Sequence, residues 1–250
     1  MEIVTCALLT SPHGFPTRLG GVSTGSFASL NCAAFVGDAP KAVEENLMRL
    51  VHAVGVKHDT LLTVSQVHGS RVLQGRAASG GSSIGEGDAL WTDVYSTSVG
   101  VFTADCLPIL LEDPIAKRVA AVHAGWRGIL ADVVTCALHA LEASGSNLTD
   151  VRVAIGPCIQ RCCCEVNGDL PDRFQVAFGN GVLHRMPGTS RTHLDLPKAV
   201  ELTLARAGLP DTHVARLPYC TVCDSRFYSH RRDGKTTGRH LSLICCSFAH

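Results

Sequence analysis

The chain has 250 residues, enough for one large buried core, and its 22 Lys plus Arg are balanced by 22 Asp plus Glu. That balance, with only 5% aromatic residues, gives no electrostatic or stacking basis for nucleic-acid or membrane-surface binding. A small neutral or mildly anionic ligand suits such a chain better. The opening MEIVTCALLTSPHG lacks the basic segment and long apolar run of a secretory leader, and no apolar run reaches the ~18–20 residues that span a bilayer. A cytoplasmic protein is expected, with its 12 cysteines reduced and serving as small buried side chains, metal ligands or nucleophiles.

In chain order, the first helix is expected from Asp38 as N-cap and Pro40. It carries Val43, Leu47, Leu50, Val51 and Val54 at helical spacing and stops at Gly55. Apolar strand-like runs follow at 61–64, 99–103, 109–111 and 119–122. A second helix is expected over 126–144, with Ile129, Val133, Val134, Ala137, Leu138 and Leu141 on one face and Gly145 behind it. A strand at 151–155 comes next, and Cys162-Cys163-Cys164 reads as half-buried small side chains in a strand. The third helix opens at Asp195, has Pro197 in its first turn, turns Val200 and Leu204 inward and ends at Gly208, before a last strand at 241–245. Two Gly- and Ser-rich stretches, 75–87 and 179–192, are expected to be surface loops able to close over a pocket. Strands outnumber helices and arrive in clusters, which favours α+β layers with mixed sheets over a doubly wound fold. No repeat or linker divides residues 1–250, so a single domain is expected.

The residues with chemistry fall at strand ends. His68 follows the run at 61–64, Cys106 follows that at 99–103, and His123 ends that at 119–122. Three strand ends can present three metal ligands at one point and leave a fourth position open, as catalytic zinc sites do. The separations match no zinc-finger spacing, and each residue can also be read as packed or hydrogen-bonded. Cys106 with His68 or His123 as base equally satisfies the needs of a thiol nucleophile. Gly69 and Gly125 would allow close backbone approach. Asp105 is a candidate proton-transfer or ligand-orienting group, or the cap of a turn. Arg18, Arg231 and Arg232 lie beside glycine-containing loops that could bind phosphate. Trp126-Arg127 reads as a packing pair at a helix start. Cys220-Thr221-Val222-Cys223 could be half of a structural metal site or a redox pair, but no second C-x-x-C supplies the missing ligands.

Taken together, T-R-L-G-G-V-S, S-L-N, V-G-D-A-P, Q-V-H-G, D-A-L-W-T, T-A-D-C-L-P-I-L-L, A-A-V-H-A-G-W-R-G, G-P-C-I and S-H-R-R-D-G-K-T-T-G-R resemble one family, in collinear order over nearly the whole chain. This is the YfiH-like family, long labelled multicopper polyphenol oxidase or laccase-domain proteins. The resemblance implies a layered α/β/β/α sandwich related to the glutaminase domain of cytotoxic necrotising factor. It implies metal ligands at His68, Cys106 and His123; these three, with Asp105 added for its place beside Cys106, make up the expected catalytic set. It also implies zinc-dependent phosphorolysis of adenosine, inosine, guanosine or methylthioadenosine, with purine nucleoside and phosphate as ligands and adenosine deamination as a companion activity. Copper is less well supported, because a blue-copper His₂Cys site has an axial Met and none of the three Met lies near a ligand motif. A metal-free thiol hydrolase or amidase acting on a cell-wall precursor and a non-catalytic zinc-binding protein are the remaining alternatives. The sequence departs from the family at Cys162–Val166, where C-C-C-E-V replaces C-C-Y-E-V, and near Phe27, which bears on substrate preference.

Overall fold

The computed structural model describes residues 1–76, 83–185 and 191–248; residues 77–82 and 186–190, inside the two expected loops, lie outside the described residues. The strands are β1 (Ile3–Val4), β2 (His13–Pro16), β3 (Leu61–Ser65), β4 (Val72–Gln74), β5 (Ser83–Glu86), β6 (Ala89–Thr92), β7 (Ser98–Thr103), β8 (Leu107–Asp113), β9 (Arg118–Ala124), β10 (Arg152–Ile155), β11 (Glu165–Val166), β12 (Leu183–Arg185), β13 (Thr192–Leu194), β14 (Val214–Arg216) and β15 (His240–Cys245). The helices are α1 (Pro40–Val54), α2 (Trp126–Leu130), α3 (Val133–Ala143), α4 (Leu170–Phe178), α5 (Leu196–Arg206) and α6 (His230–Asp233). One six-stranded sheet runs β1-β2-β15-β7-β3-β5, a second runs β14-β10-β8-β9-β6-β4, and β11-β13-β12 form a small third sheet. Both large sheets are mixed: β3 pairs parallel with β7 and β5, and β4 with β6, whereas β8 and β9 are antiparallel.

Consecutive apolar residues are explained by the two covered faces of each sheet. Leu62, Val64, Val99, Val101 and Ile244 point between the sheets and meet Leu90, Leu110, Val119 and Ala121 of the second sheet. Their neighbours point the other way. Leu61, Leu241 and Leu243 pack under Leu50 and Val51 of α1. Ala89, Ile109, Leu111 and Val122 pack under the apolar faces of α3 and α5, including Val134, Leu138, Leu141 and Val200. The result is the expected α/β/β/α layering.

Six of the seven expected strands form, each within a few residues of its sequence bounds, and the one at 162–164 does not. The expected helix at 126–144 is instead broken into α2 and α3, because Asp132 takes a left-handed conformation (φ 61) that Asp tolerates better than most side chains. The apolar stripe survives the break, since both pieces rest on the same sheet. Asp195 caps α5 as expected, accepting the Lys198 N–H at 3.0 Å. Asp38 does not cap α1: its carboxylate accepts from Ser23 Oγ and Asn31 Nδ2, tying two loops together. Part of each expected loop is strand, β5 in one and β12 in the other. Cys162 and Cys163 lie on a turn before β11 and not in a strand. The unanticipated helix α4 buries Phe174 and Phe178, one turn apart. Among the described residues no helix is long and apolar enough to cross a membrane.

The left-handed residue between α2 and α3 sets a measurable constraint. Asp132→Gly should leave the thermal midpoint within experimental scatter, whereas the β-branched Asp132→Val should cost about 1–2 kcal/mol in denaturant unfolding. Equal stability of the two variants would contradict the break.

Candidate active site

Topology brings the candidate ligands together where the chain passes from one sheet to the other. β7 of the first sheet ends at Thr103 and β8 of the second begins at Leu107, so Ala104-Asp105-Cys106 is the whole crossover. The β8–β9 register sets Leu107 opposite Ala124 and Pro108 opposite His123, which carries Cys106 to the end of β9. His68 lies on the second crossover, between β3 and β4. One ligand atom from each of His68, Cys106 and His123 lies within 4.8 Å of the others. The two imidazoles meet edge to face, with centroids 4.9 Å apart. A Cβ on Gly125 would come within 3.0 Å of Cys106 Sγ and 3.3 Å of His68 Cδ2, so the absence of a side chain there makes the cluster possible. Gly69 is not needed for space; its N–H is used instead.

That N–H points at Asp88, a residue without an assigned role in the sequence although it opens D-A-L-W-T. Asp88 is fully buried at the head of β6. Its carboxylate accepts the backbone N–H groups of His68 (2.9 Å) and Gly69 (2.6 Å), and a longer one from Val67 (3.3 Å). His123 Nδ1 is 2.8 Å from the same carboxylate, which leaves Nε2 as the nitrogen available to a metal ion. Burial pushes the Asp88 carboxyl up, but these bonds from His123, Gly69 and His68 more than reverse it and hold it below the ordinary range. His68 itself is held at φ 61, a conformation rare outside Gly, Asn and Asp.

The electrostatics of the trio are reciprocal. Burial raises the Cys106 thiol, but the charge of His123 and hydrogen bonds from both imidazoles outweigh it and lower the pKa to about 6. Burial lowers His123, and Cys106 and Asp88 more than compensate, raising it to about 9. Two imidazoles and a thiolate at this spacing, one ring oriented by a carboxylate, fit a borderline-soft divalent ion with a further position open.

Asp105 sits in the crossover at φ 90, and both carboxylate oxygens are engaged: Thr221 Oγ1 donates at 2.6 Å and the Arg231 N–H at 2.6 Å. It fastens the segment carrying Arg231 to the ligand loop. A cavity of about 900 Å³ opens on the trio, lined also by Phe35, Phe102, Trp126, Arg127, Arg231 and Arg239. Of the expected anion-binding arginines only Arg231 lines it. Arg18 donates Nε to the Ala28 carbonyl and stacks 4.6 Å over Tyr228. Arg232 spends its guanidinium on Asp233 and on the carbonyls of Thr221, Val222, Asp224 and Phe227. Neither has a place in the cavity lining, and the donors of Arg232 are already satisfied. Arg127, stacked 4.1 Å over Trp126, and Arg239 take that place. The Arg239 guanidinium gives one terminal nitrogen to the Thr237 and Gly238 carbonyls and, among the described residues, makes no other hydrogen bond. Burial holds its guanidinium below its ordinary pKa, with Cys106 and Asp105 pulling the other way.

Fold and site together define an α/β/β/α protein with a His–Cys–His centre open to a cavity at the seam between its sheets. The chain belongs to the multi-copper polyphenol oxidoreductase laccase family, whose model matches residues 12–247. It is 38% identical to a purine nucleoside phosphorylase of Deinococcus radiodurans over 94% of this chain and 89% of the relative. It is 36% identical to a purine nucleoside phosphorylase of Pseudomonas aeruginosa over 91% of this chain and 90% of the relative. The crystal structure of YlmD from Geobacillus stearothermophilus matches with a TM-score of 0.87 at 32% identity, covering 93% of this chain and 90% of that one. That of Bacillus licheniformis YfiH matches with a TM-score of 0.88 at 27% identity, covering 93% and 91%.

In metal-stripped protein, Cys106 should be thiolate above about pH 6 and His123 imidazolium below about pH 9. Iodoacetamide labelling of Cys106, read by peptide mass spectrometry, is therefore expected to rise with a midpoint near pH 6. A midpoint near the ordinary 9.0 would show that the two side chains do not meet as described.

Proposed function

We propose that the protein is a zinc-dependent purine nucleoside phosphorylase, turning adenosine, inosine or guanosine plus phosphate into free base and ribose 1-phosphate. The observation that carries this reading is one cavity in which the His68–Cys106–His123 cluster shares its walls with Arg127, Arg231 and Arg239. Relatives 34–38% identical that bear the name purine nucleoside phosphorylase support it. Among the described residues no methionine lines the cavity, so a blue-copper axial ligand is lacking and the donor set suits zinc better.

Zinc, when bound, supplies Lewis-acid chemistry at this point of the cavity. The rest falls to the chain. Phosphate is held by guanidinium groups whose N–H donors are not already spent, Arg239 foremost because it is partly desolvated. A phosphate oxygen forms a bond to C1′ of the ribose as the bond from C1′ to the purine nitrogen breaks. The electron pair leaves with the base, which takes up a proton. Holding phosphate beside the anomeric carbon replaces a bimolecular encounter and is the main contribution asked of these side chains. Phe35 lines the cavity yet is 69% exposed, and its ring meets Phe102 edge to face at 5.5 Å; a purine stacked there would cover that surface. Deamination of adenosine belongs to the same proposal: water replaces the amino group at C6, giving inosine and ammonia.

Chromatography of reactions with inosine should show hypoxanthine only when phosphate is present. Adenosine should yield adenine with phosphate and inosine without it. Cys106→Ala should lose bound zinc and at least about 100-fold in turnover, since removing a ligand exceeds the 10–100-fold typical of groups behind the ligands. Full activity in that variant would sink the assignment, and copper content with oxygen-dependent phenol oxidation would replace it with an oxidase. Activity that survives metal removal but not alkylation of Cys106 would instead establish a thiol hydrolase.

The role given to Asp88 has its own check. Asp88→Asn keeps the size of the side chain but weakens its hold on the His123 N–H. Zinc affinity or kcat is expected to fall about 10–100-fold with the fold retained by circular dichroism. An unchanged enzyme would show that His123 needs no such partner.

A further inference from the structure

The C-x-x-C of residues 220–223 is not alone. The turn before β11 swings Cys162 and Cys163 against it, so that one sulphur from each of Cys162, Cys163, Cys220 and Cys223 lies within 4.8 Å of the others. The sulphurs are 3.6 Å apart for Cys162–Cys220, 3.7 Å for Cys162–Cys223 and 3.3 Å for Cys163–Cys223, all free thiols. Zn–S bonds of about 2.3 Å in a tetrahedron place neighbouring sulphurs about 3.8 Å apart. A disulfide would need about 2.05 Å and would join only two of the four. The missing half of the site was invisible in sequence because its two ligands are adjacent residues, not a second C-x-x-C.

The backbone around the cluster is tied down on both sides. The Asp224 N–H closes the turn on the Cys220 carbonyl at 2.9 Å. Cys220 also pairs as an isolated bridge with Cys158, and the Thr221 N–H donates to the Cys158 carbonyl at 3.1 Å. Cys162 and Cys223 are exposed, Cys163 and Cys220 half-buried, and a surface hollow beside Arg161 and Asp224 gives an ion access.

We propose that Cys162, Cys163, Cys220 and Cys223 form a second metal site, a closed tetrathiolate centre for zinc that is separate from the cavity ligands and structural in role. Closed four-thiolate sites contribute folding energy, whereas catalytic sites keep a position open. Here the centre would fasten the cavity wall. The Cys163 carbonyl accepts Arg231 Nη1 at 2.9 Å, and Thr221 Oγ1 donates to Asp105, next to the ligand Cys106. Arg232 Nη1 in turn caps the carbonyls of Thr221 and Val222. A metal at the four sulphurs would join the turn at 161–163, the 220–223 loop and α6 into one rigid wall.

The test uses the full chain without an affinity tag. Wild type is expected to hold two zinc ions per chain by elemental analysis, and Cys106→Ala to hold one. Exchange of that remaining ion for cobalt in Cys106→Ala should give the intense thiolate-to-metal charge-transfer bands and d–d pattern of a tetrahedral tetrathiolate. Adding Cys220→Ser and Cys223→Ser should remove the ion and lower the thermal midpoint. If that chain does not fold, the cobalt spectrum of Cys106→Ala decides by itself. Absence of metal from Cys106→Ala after incubation with zinc under reducing conditions, or a cobalt spectrum without thiolate bands, would overturn the proposal. One zinc in wild type and one in Cys106→Ala would instead refute the cavity ligands and leave the four-cysteine site standing.

Discussion

The Asp88 carboxylate is fully buried, and an uncompensated charge in such a place costs several kcal/mol. Its compensation comes from segments that belong to different sheets. The N–H groups of Val67, His68 and Gly69 lie on the crossover leaving the first sheet, and His123 ends a central strand of the second. The His123 N–H also donates to the Asp88 carbonyl at 2.7 Å, and the Asp88 N–H to that of Arg71 at 3.0 Å. Satisfying one carboxylate therefore fixes the loop that carries His68, the ring orientation of His123 and the seam between the sheets. The left-handed conformation of His68 is a consequence: the donors of three successive residues converge on one acceptor only if the chain turns sharply there.

The same economy governs the other crossover. Three residues span the gap from β7 to β8, too few for a relaxed loop, and Asp105 takes the strain at φ 90. Two hydrogen bonds to its carboxylate, from Thr221 and Arg231, oppose relaxation of that geometry. Cys106 is thus presented from a short, anchored segment against a glycine that leaves room for its sulphur. Anchoring of this kind limits how far the three side chains can drift apart, which is what preorganisation of a centre requires. The apolar sandwich behind it, with Leu90, Leu110 and Val99 fully buried, supplies the rigidity on which both crossovers rest.

What could be read in the sequence follows from how local each signal is. Helix α1 and the strands of the sandwich are legible because the alternation of faces and the stop signals at Gly55 and Gly208 act within a few residues. The break at Asp132 is not, since the apolar stripe continues through it and the left-handed residue is set by tertiary packing. His68, Cys106 and His123 stood at strand ends, but their meeting depends on a register between β8 and β9 and on two sheet crossings that no local pattern encodes. Collinear motifs, not spacing, singled them out. Asp88 lies within one of those motifs, but a lone Asp before a strand resembles any turn residue. Only its burial and its four donors distinguish it.

The arginines show the limit of such reading most clearly. Arg18, Arg127, Arg231, Arg232 and Arg239 are the same residue type near glycines or helix starts, and sequence cannot rank them as anion ligands. The accounting of donors does. Arg232 satisfies itself on Asp233 and a set of backbone carbonyls, so an incoming phosphate would have to break existing bonds, and Arg18, held by the Ala28 carbonyl and stacked on Tyr228, lies outside the cavity lining. Arg231 is intermediate, with one terminal nitrogen on the Cys163 and Glu165 carbonyls and its backbone N–H on Asp105. Arg127 and Arg239 keep donors unspent on a wall shared with the thiolate and imidazoles. A guanidinium that is partly desolvated and incompletely hydrogen-bonded gains most from an anion, because the anion supplies what burial has removed. Affinity for phosphate in this cavity should accordingly follow the donors the fold leaves open, and not the number of arginines around it.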